Sequence, residues 1–82
     1  VSRDEKRLTC ADLLGRLKKY GIVQARQRGS HIILLKPESP GSRRGPTYPV
    51  PCHNPGSEVS PYIVRALLRR FEIDEAAFWD AG

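Results

Sequence analysis

Three features of the chain predict an α+β domain with the order α-β-β-β-α. Two segments carry apolar residues at helical spacing, and they bracket a central stretch with alternating and β-branched residues. That central stretch is punctuated by Gly29-Ser30 and by a Pro-, Gly-, Ser- and Arg-rich run over 37–46, which divides it into three strands. The length, 82 residues, allows one domain with one modest core.

The first helix is expected from Cys10 to Tyr20. Thr9 is a suitable N-cap, Asp12 sits where the helix dipole favours an acid, and Cys10, Leu13, Leu14 and Leu17 form one apolar stripe. Lys18 and Lys19 suit its last turn, and Gly21 ends it as a C′ glycine does. Ile22 to Arg28 reads as a strand. Strict alternation would put Gln24, Arg26 and Arg28 on one face, with Val23 and Ala25 on the other. Gly29-Ser30 makes a tight hairpin turn, and His31 to Lys36 is the return strand, stopped by Pro37. The 37–46 run is expected to be a flexible loop. Thr47 to Val50 is a third strand, confined to a sheet edge because Pro49 cannot donate to a ladder. Pro51 to Val59 reads as a connecting loop.

Ser60-Pro61 opens the second helix with a cap and a proline at the first helical position. Its stripe is Ile63, Val64, Leu67, Leu68 and Phe71, and Asp74 can cap a last short helix from Glu75 to Trp79. Both long helices need an apolar partner, so both are expected on the same face of the sheet. The opposite face is then free.

Composition narrows the function. Hydrophobic residues at 39% and charged residues at 28% describe a globular chain rather than a disordered one. Val1 to Leu8 are mostly charged and lack the apolar core of a secretory signal. A frayed N-terminus over 1–8, a single domain over 9–82 and a cytoplasmic location are therefore expected, and nothing in the sequence is apolar enough to span a membrane. The net charge is +5, concentrated over residues 16–44, where eight basic side chains face one acid. Such a field favours a polyanion through counterion release. Two cysteines, Cys10 and Cys52, are too few for a disulfide framework, and Cys10 reads as a small core residue. Cys52 beside His53 does not amount to a metal or thiol site. The acids are scattered without ligand spacing, so neither a metal nor another cofactor is expected.

His31 is the residue best placed for chemistry. It follows the Gly29-Ser30 turn among Arg26, Arg28 and Lys36, which sets an imidazole beside phosphate-binding cations. RNA carries its own nucleophile, the 2′-hydroxyl, so a protein need supply only proton transfer and charge stabilisation. Ser30 lacks a nearby acid to complete a hydrolytic triad, and its reading is a turn residue.

The segment Arg26-Gln27-Arg28-Gly29-Ser30-His31, followed by Val50-Pro51-Cys52-His53 and by Ser60-Pro61 with Val64-Arg65-Ala66-Leu67-Leu68-Arg69, resembles the HicA (YcfA-like) toxin family over about residues 9–73. The resemblance implies a double-stranded-RNA-binding-domain-like fold. It also implies an endoribonuclease toxin that cleaves mRNA without a metal and is neutralised by a HicB-like antitoxin. It places the family's catalytic histidine on His31 and its second motif histidine on His53. Arg26, Gln27, Arg28, Gly29, Ser30, Lys36, His53 and Arg65 are the expected RNA-binding residues. The chain departs from the family in the wholly apolar run Ile32 to Leu35, whose outward members would suit a protein partner, and in Ser57 and Ser60 where lysines are common. Two other functions compete with cleavage: a non-catalytic RNA-binding module, and a degenerate toxin acting as a protein-interaction domain.

Overall fold

The computed structural model describes residues 8–80. In chain order the elements are β1 (Leu8–Thr9), α1 (Cys10–Lys18), β2 (Val23–Arg28), β3 (His31–Leu35), β4 (Thr47–Pro51), β5 (Glu58–Val59), α2 (Pro61–Arg70) and α3 (Glu75–Asp80). This is the expected α-β-β-β-α order with a short terminal helix. The principal sheet is antiparallel in the order β2-β3-β4, so β2 and the proline-bearing β4 are both edges.

The helix ends follow the sequence signals. The Asp12 N–H donates to Thr9 Oγ1 at 3.1 Å, and the Tyr62 N–H donates to Ser60 Oγ at 3.2 Å. Gly21 takes a positive φ of 80° just beyond α1, a conformation that only glycine adopts without strain.

One core joins the layers. Ile32 and Leu34 of β3 and Val50 of β4 pack with Leu13 and Leu17 of α1 and with Val64, Leu67 and Leu68 of α2. Ile32 pairs directly with Val50, so these side chains leave the sheet on one face. The helices therefore cover that face together. Phe78 of α3 completes the core, with Tyr20 and Trp79 against its ring. Arg16 anchors this last helix. Its guanidinium donates to the Phe78 carbonyl at 3.2 Å and lies 5.7 Å from the ring centroids of both Phe78 and Trp79.

The structure corrects four expectations. Leu8 is not frayed: it pairs with Val59, and Thr9 with Glu58, in a two-stranded ribbon, so residues 58–59 leave the expected loop. The rest of the expected N-terminal tail, residues 1–7, lies outside the described residues. Ala25 is a β-bulge, because Gln24 pairs with Leu34 while Arg26 pairs with Ile33. The extra residue reverses the alternation, so Gln24 joins the helix-facing side and Val23, paired with Leu35, joins Arg26 and Arg28. Cys10 and Cys52 form a disulfide with each other across a sequence separation of 42. The segment 37–46 is also more ordered than a flexible loop. The Lys36 N–H donates to the Pro46 carbonyl at 3.0 Å and the Glu38 N–H to the Arg44 carbonyl at 2.8 Å, continuing the β3–β4 ladder.

Candidate functional site

The β2–β3 hairpin closes on the pair Arg28 and His31, with Gly29 and Ser30 as its two-residue loop. Gly29 has φ 59°, and Ser30 stays at negative φ, so the positive angle falls only on the first loop position. That is the pattern of a type II′ turn, which matches the twist of the flanking strands. Two further bonds fix the turn. Gln27 Nε2 donates to the Gly29 carbonyl at 3.0 Å. The Cys52 N–H donates to the Ser30 carbonyl at 2.6 Å, tying the hairpin tip to the chain leaving β4.

Directly paired residues of antiparallel strands leave the sheet on the same side. Arg28 therefore shares a face with His31, and Arg26 shares it with Ile33, one step further along. His31 also pairs with Pro51 of β4. This face is opposite to Ile32, Leu34 and Val50, and so opposite to the helices. Arg26, Arg28 and His31 are exposed. Neither arginine side chain has a hydrogen-bond or ion-pair partner among the described residues. The site is thus an imidazole at the rim of an open sheet face, with two uncommitted guanidinium groups on the same strand pair. Two guanidinium groups in that position can take phosphate oxygens bidentately while the imidazole exchanges a proton. The two-residue turn sets the register that puts Arg26 opposite Ile33, and the bulge at Ala25 re-aims only the residues before it, Gln24 and Val23.

The other residues expected at the site lie elsewhere. Lys36 sits at the far end of β3, and its ammonium donates to the Phe71 carbonyl at the end of α2, at 3.4 Å. Arg65 on α2 forms an ion pair with Glu75 of α3, N to O 3.7 Å. His53 lines a cleft on the helix side, which His31 does not line. Gly29, Ser30 and Gln27 shape the turn. The open face also carries apolar side chains: Ile33 half-buried and Leu35 buried, as the outward half of the Ile32 to Leu35 run.

Sequence reasoning missed Cys52, whose backbone holds the turn and whose side chain is bonded to the first residue of α1. Both cysteines stand at element ends, but only the three-stranded topology brings those ends together.

The chain matches the family model for the HicA toxin of bacterial toxin-antitoxin systems over residues 10–73, which includes the hairpin, the Cys52 tie and all of α2. No curated protein and no solved structure matches it.

Proposed function

The chain belongs to the HicA toxin family, and from that premise we propose that it is a metal-independent endoribonuclease that cleaves mRNA and is neutralised by a HicB-like antitoxin. The observation that carries this reading is the cross-strand pair of Arg28 and His31 on the open sheet face, with Arg26 beside it.

In the proposed reaction the RNA supplies the nucleophile. The 2′-oxygen attacks the adjacent phosphorus, the bond to the 5′-oxygen breaks, and the products carry a 2′,3′-cyclic phosphate and a 5′-hydroxyl. One proton leaves the 2′-hydroxyl and one reaches the departing 5′-oxygen, and His31 serves as the general acid–base for this traffic. Arg26 and Arg28 bind the phosphate and stabilise the negative charge that builds on its oxygens in the transition state. Gln27, Gly29 and Ser30 act through the turn, holding the imidazole next to the Arg28 strand position.

A non-catalytic reading has one observation of its own. Half-buried Ile33 and exposed Val23 put apolar surface on the same face, as a protein-binding module would. Incubation of the purified chain with mRNA in EDTA separates the two. The nuclease reading expects cleavage by the wild type and its loss in His31→Ala, whose exposed side chain can be removed without disturbing the core. Equal cleavage by both proteins would remove His31 from the mechanism. Salt-sensitive binding without products would establish an RNA-binding module instead.

A further inference from the structure

Cys52 is tied in two directions. Its N–H donates to the carbonyl of Ser30, the residue just before His31, at 2.6 Å. Its sulfur is bonded to Cys10, the first residue of α1. Pro51, one residue earlier, pairs with His31 across β3 and β4. The disulfide therefore backs the hairpin tip with a covalent link to α1. Backbone bonds hold the same region independently of the sulfurs. The Cys10 N–H donates to the Ser57 carbonyl at 2.8 Å and the Ala11 N–H to the Pro55 carbonyl at 3.0 Å. Opening the disulfide thus slackens Cys52 and the turn without detaching α1.

The cysteines are buried but not sealed. Both line a cleft of about 590 Å³ between α1 and β2, on the helix side of the sheet. Gly15 stands in its wall, and a Cβ there would meet nothing within 4 Å, so the missing side chain leaves the entry open. A small molecule fits that space. Lys18 and His53 are the ionisable groups of the lining, and no carboxylate among the described residues lines it. Lys18 therefore draws a negatively charged molecule toward the sulfurs.

We propose that Cys10–Cys52 is a thiol–disulfide exchange site, reached through this cleft by a small anionic thiol, and that its oxidation state sets how firmly the turn holds His31. The exchange stands on its own, while its effect on activity rests on the cleavage reading. A thiolate attacks one sulfur, the S–S bond breaks, and the other cysteine leaves as a thiolate. A second thiolate attacks the mixed disulfide, freeing the remaining cysteine and releasing the oxidised thiol dimer. Two electrons pass to the protein, and its two thiolates take protons from water. The oxidised chain is the active form. Reduction leaves His31 on a slacker turn, and proton transfer depends on close positioning, so kcat falls rather than KM rising.

The full chain is tested with two thiols of opposite charge, mercaptoethanesulfonate as the anion and cysteamine as the cation, with protein thiols counted by alkylation and mass spectrometry. Lys18→Glu is expected to slow reduction by the anion about tenfold relative to reduction by the cation. Gly15→Phe is expected to slow both about tenfold by filling the cleft. Unchanged rates in both folded variants would overturn the proposal, and if Gly15→Phe fails to fold, Lys18→Glu alone decides. The effect on activity is read at a temperature where oxidised and phosphine-reduced chains give the same far-UV circular dichroism. Reduction is expected to lower kcat for RNA cleavage about tenfold with KM held, and reoxidation to restore it. Amide exchange at Cys52 should speed about tenfold more than at Phe71, whose N–H donates to the Leu67 carbonyl at 3.0 Å at the end of α2. An equal rise at both amides would show general loss of stability and overturn the coupling to the turn, as would an unchanged kcat. A wild type that cleaves RNA in neither state would defeat the proposed function and leave the reduction rates and the Cys52 exchange to decide.

Discussion

Reduction of the Cys10–Cys52 disulfide should remove a large part of the stability of this domain. The bond joins the first residue of α1 to the residue after β4, and both cysteines are buried, at 3% and 5% exposure. It closes a loop with a sequence separation of 42. The chain-entropy relation gives about 4 kcal/mol for a loop of that length. That is large against the roughly 5–15 kcal/mol that holds a typical domain folded. For a chain of this size, about 4 kcal/mol corresponds to a fall in melting temperature of roughly 16–32 °C. Reduction leaves two small thiols in an apolar environment that already suits them, so native-state strain adds little. The assay is thermal unfolding followed by circular dichroism with and without a phosphine reductant, with thiols counted by alkylation and mass spectrometry. Denatured, unreduced protein should show no alkylated cysteine, and reduced protein should show two. Two modified cysteines before reduction would refute the pairing. A shift below about 3 °C with full reduction would refute the loop-entropy account.

Two glycines should respond to alanine with opposite signs. Gly45→Ala should destabilise by about 3 kcal/mol, because φ there is 148° and a Cβ would overlap the Lys36 carbonyl oxygen and lie 3.3 Å from the Glu38 nitrogen. Gly15→Ala should stabilise by about 0.5–1 kcal/mol, since its Cβ meets nothing and alanine favours the helix. Urea midpoints measure both. Arg16→Ala should cost about 1–2 kcal/mol and speed amide exchange selectively in α3, because one guanidinium supplies both ring contacts and the carbonyl bond there. Arg26→Ala and Arg28→Ala should each lower RNA affinity and reduce the slope of log K against log salt by about 0.7–1, read by fluorescence anisotropy. Arg65→Ala, ion-paired to Glu75 on the helix side, should leave that slope unchanged.

The features legible in the sequence were those with local causes. Thr9, Gly21 and Ser60-Pro61 marked the helix ends through caps and backbone preference, and the structure uses each of them. Gly29-Ser30 marked the hairpin, and Pro49 marked an edge strand. The features that were not legible arise from contacts distant in sequence or from a single residue's register. Nothing in Gln24-Ala25-Arg26 announces a bulge, since each residue type is ordinary in a strand. The Leu8–Thr9 and Glu58–Val59 ribbon is too short to show a period. The disulfide depends on where β4 ends relative to α1, which only the assembled sheet decides.

Charge shows the same division more sharply. The basic stretch over 16–44 looked like one polyanion-binding field, but its members do different work in the fold. Arg16 is committed to α3, and Lys36 to the carbonyl end of α2, where a cation also complements the helix dipole. Arg26 and Arg28 have no such commitments among the described residues, and their register from the hairpin turn puts both on the face that His31 occupies. The two-residue turn sets Arg28 opposite His31, and strict alternation back from it puts Arg26 opposite Ile33 on the same face. The extra residue lies beyond Arg26, so it re-aims only Gln24 and Val23. Deleting Ala25 should therefore join Gln24 to Arg26 in a regular ladder, keep the Arg26–Ile33 and Gln24–Leu34 pairings, and leave RNA affinity unchanged where Arg26→Ala lowers it. Nuclear Overhauser contacts across the hairpin would show the register directly. Loss of the Arg26–Ile33 pairing in the deletion variant would show that the bulge, rather than the Arg28–His31 turn, dictates the register.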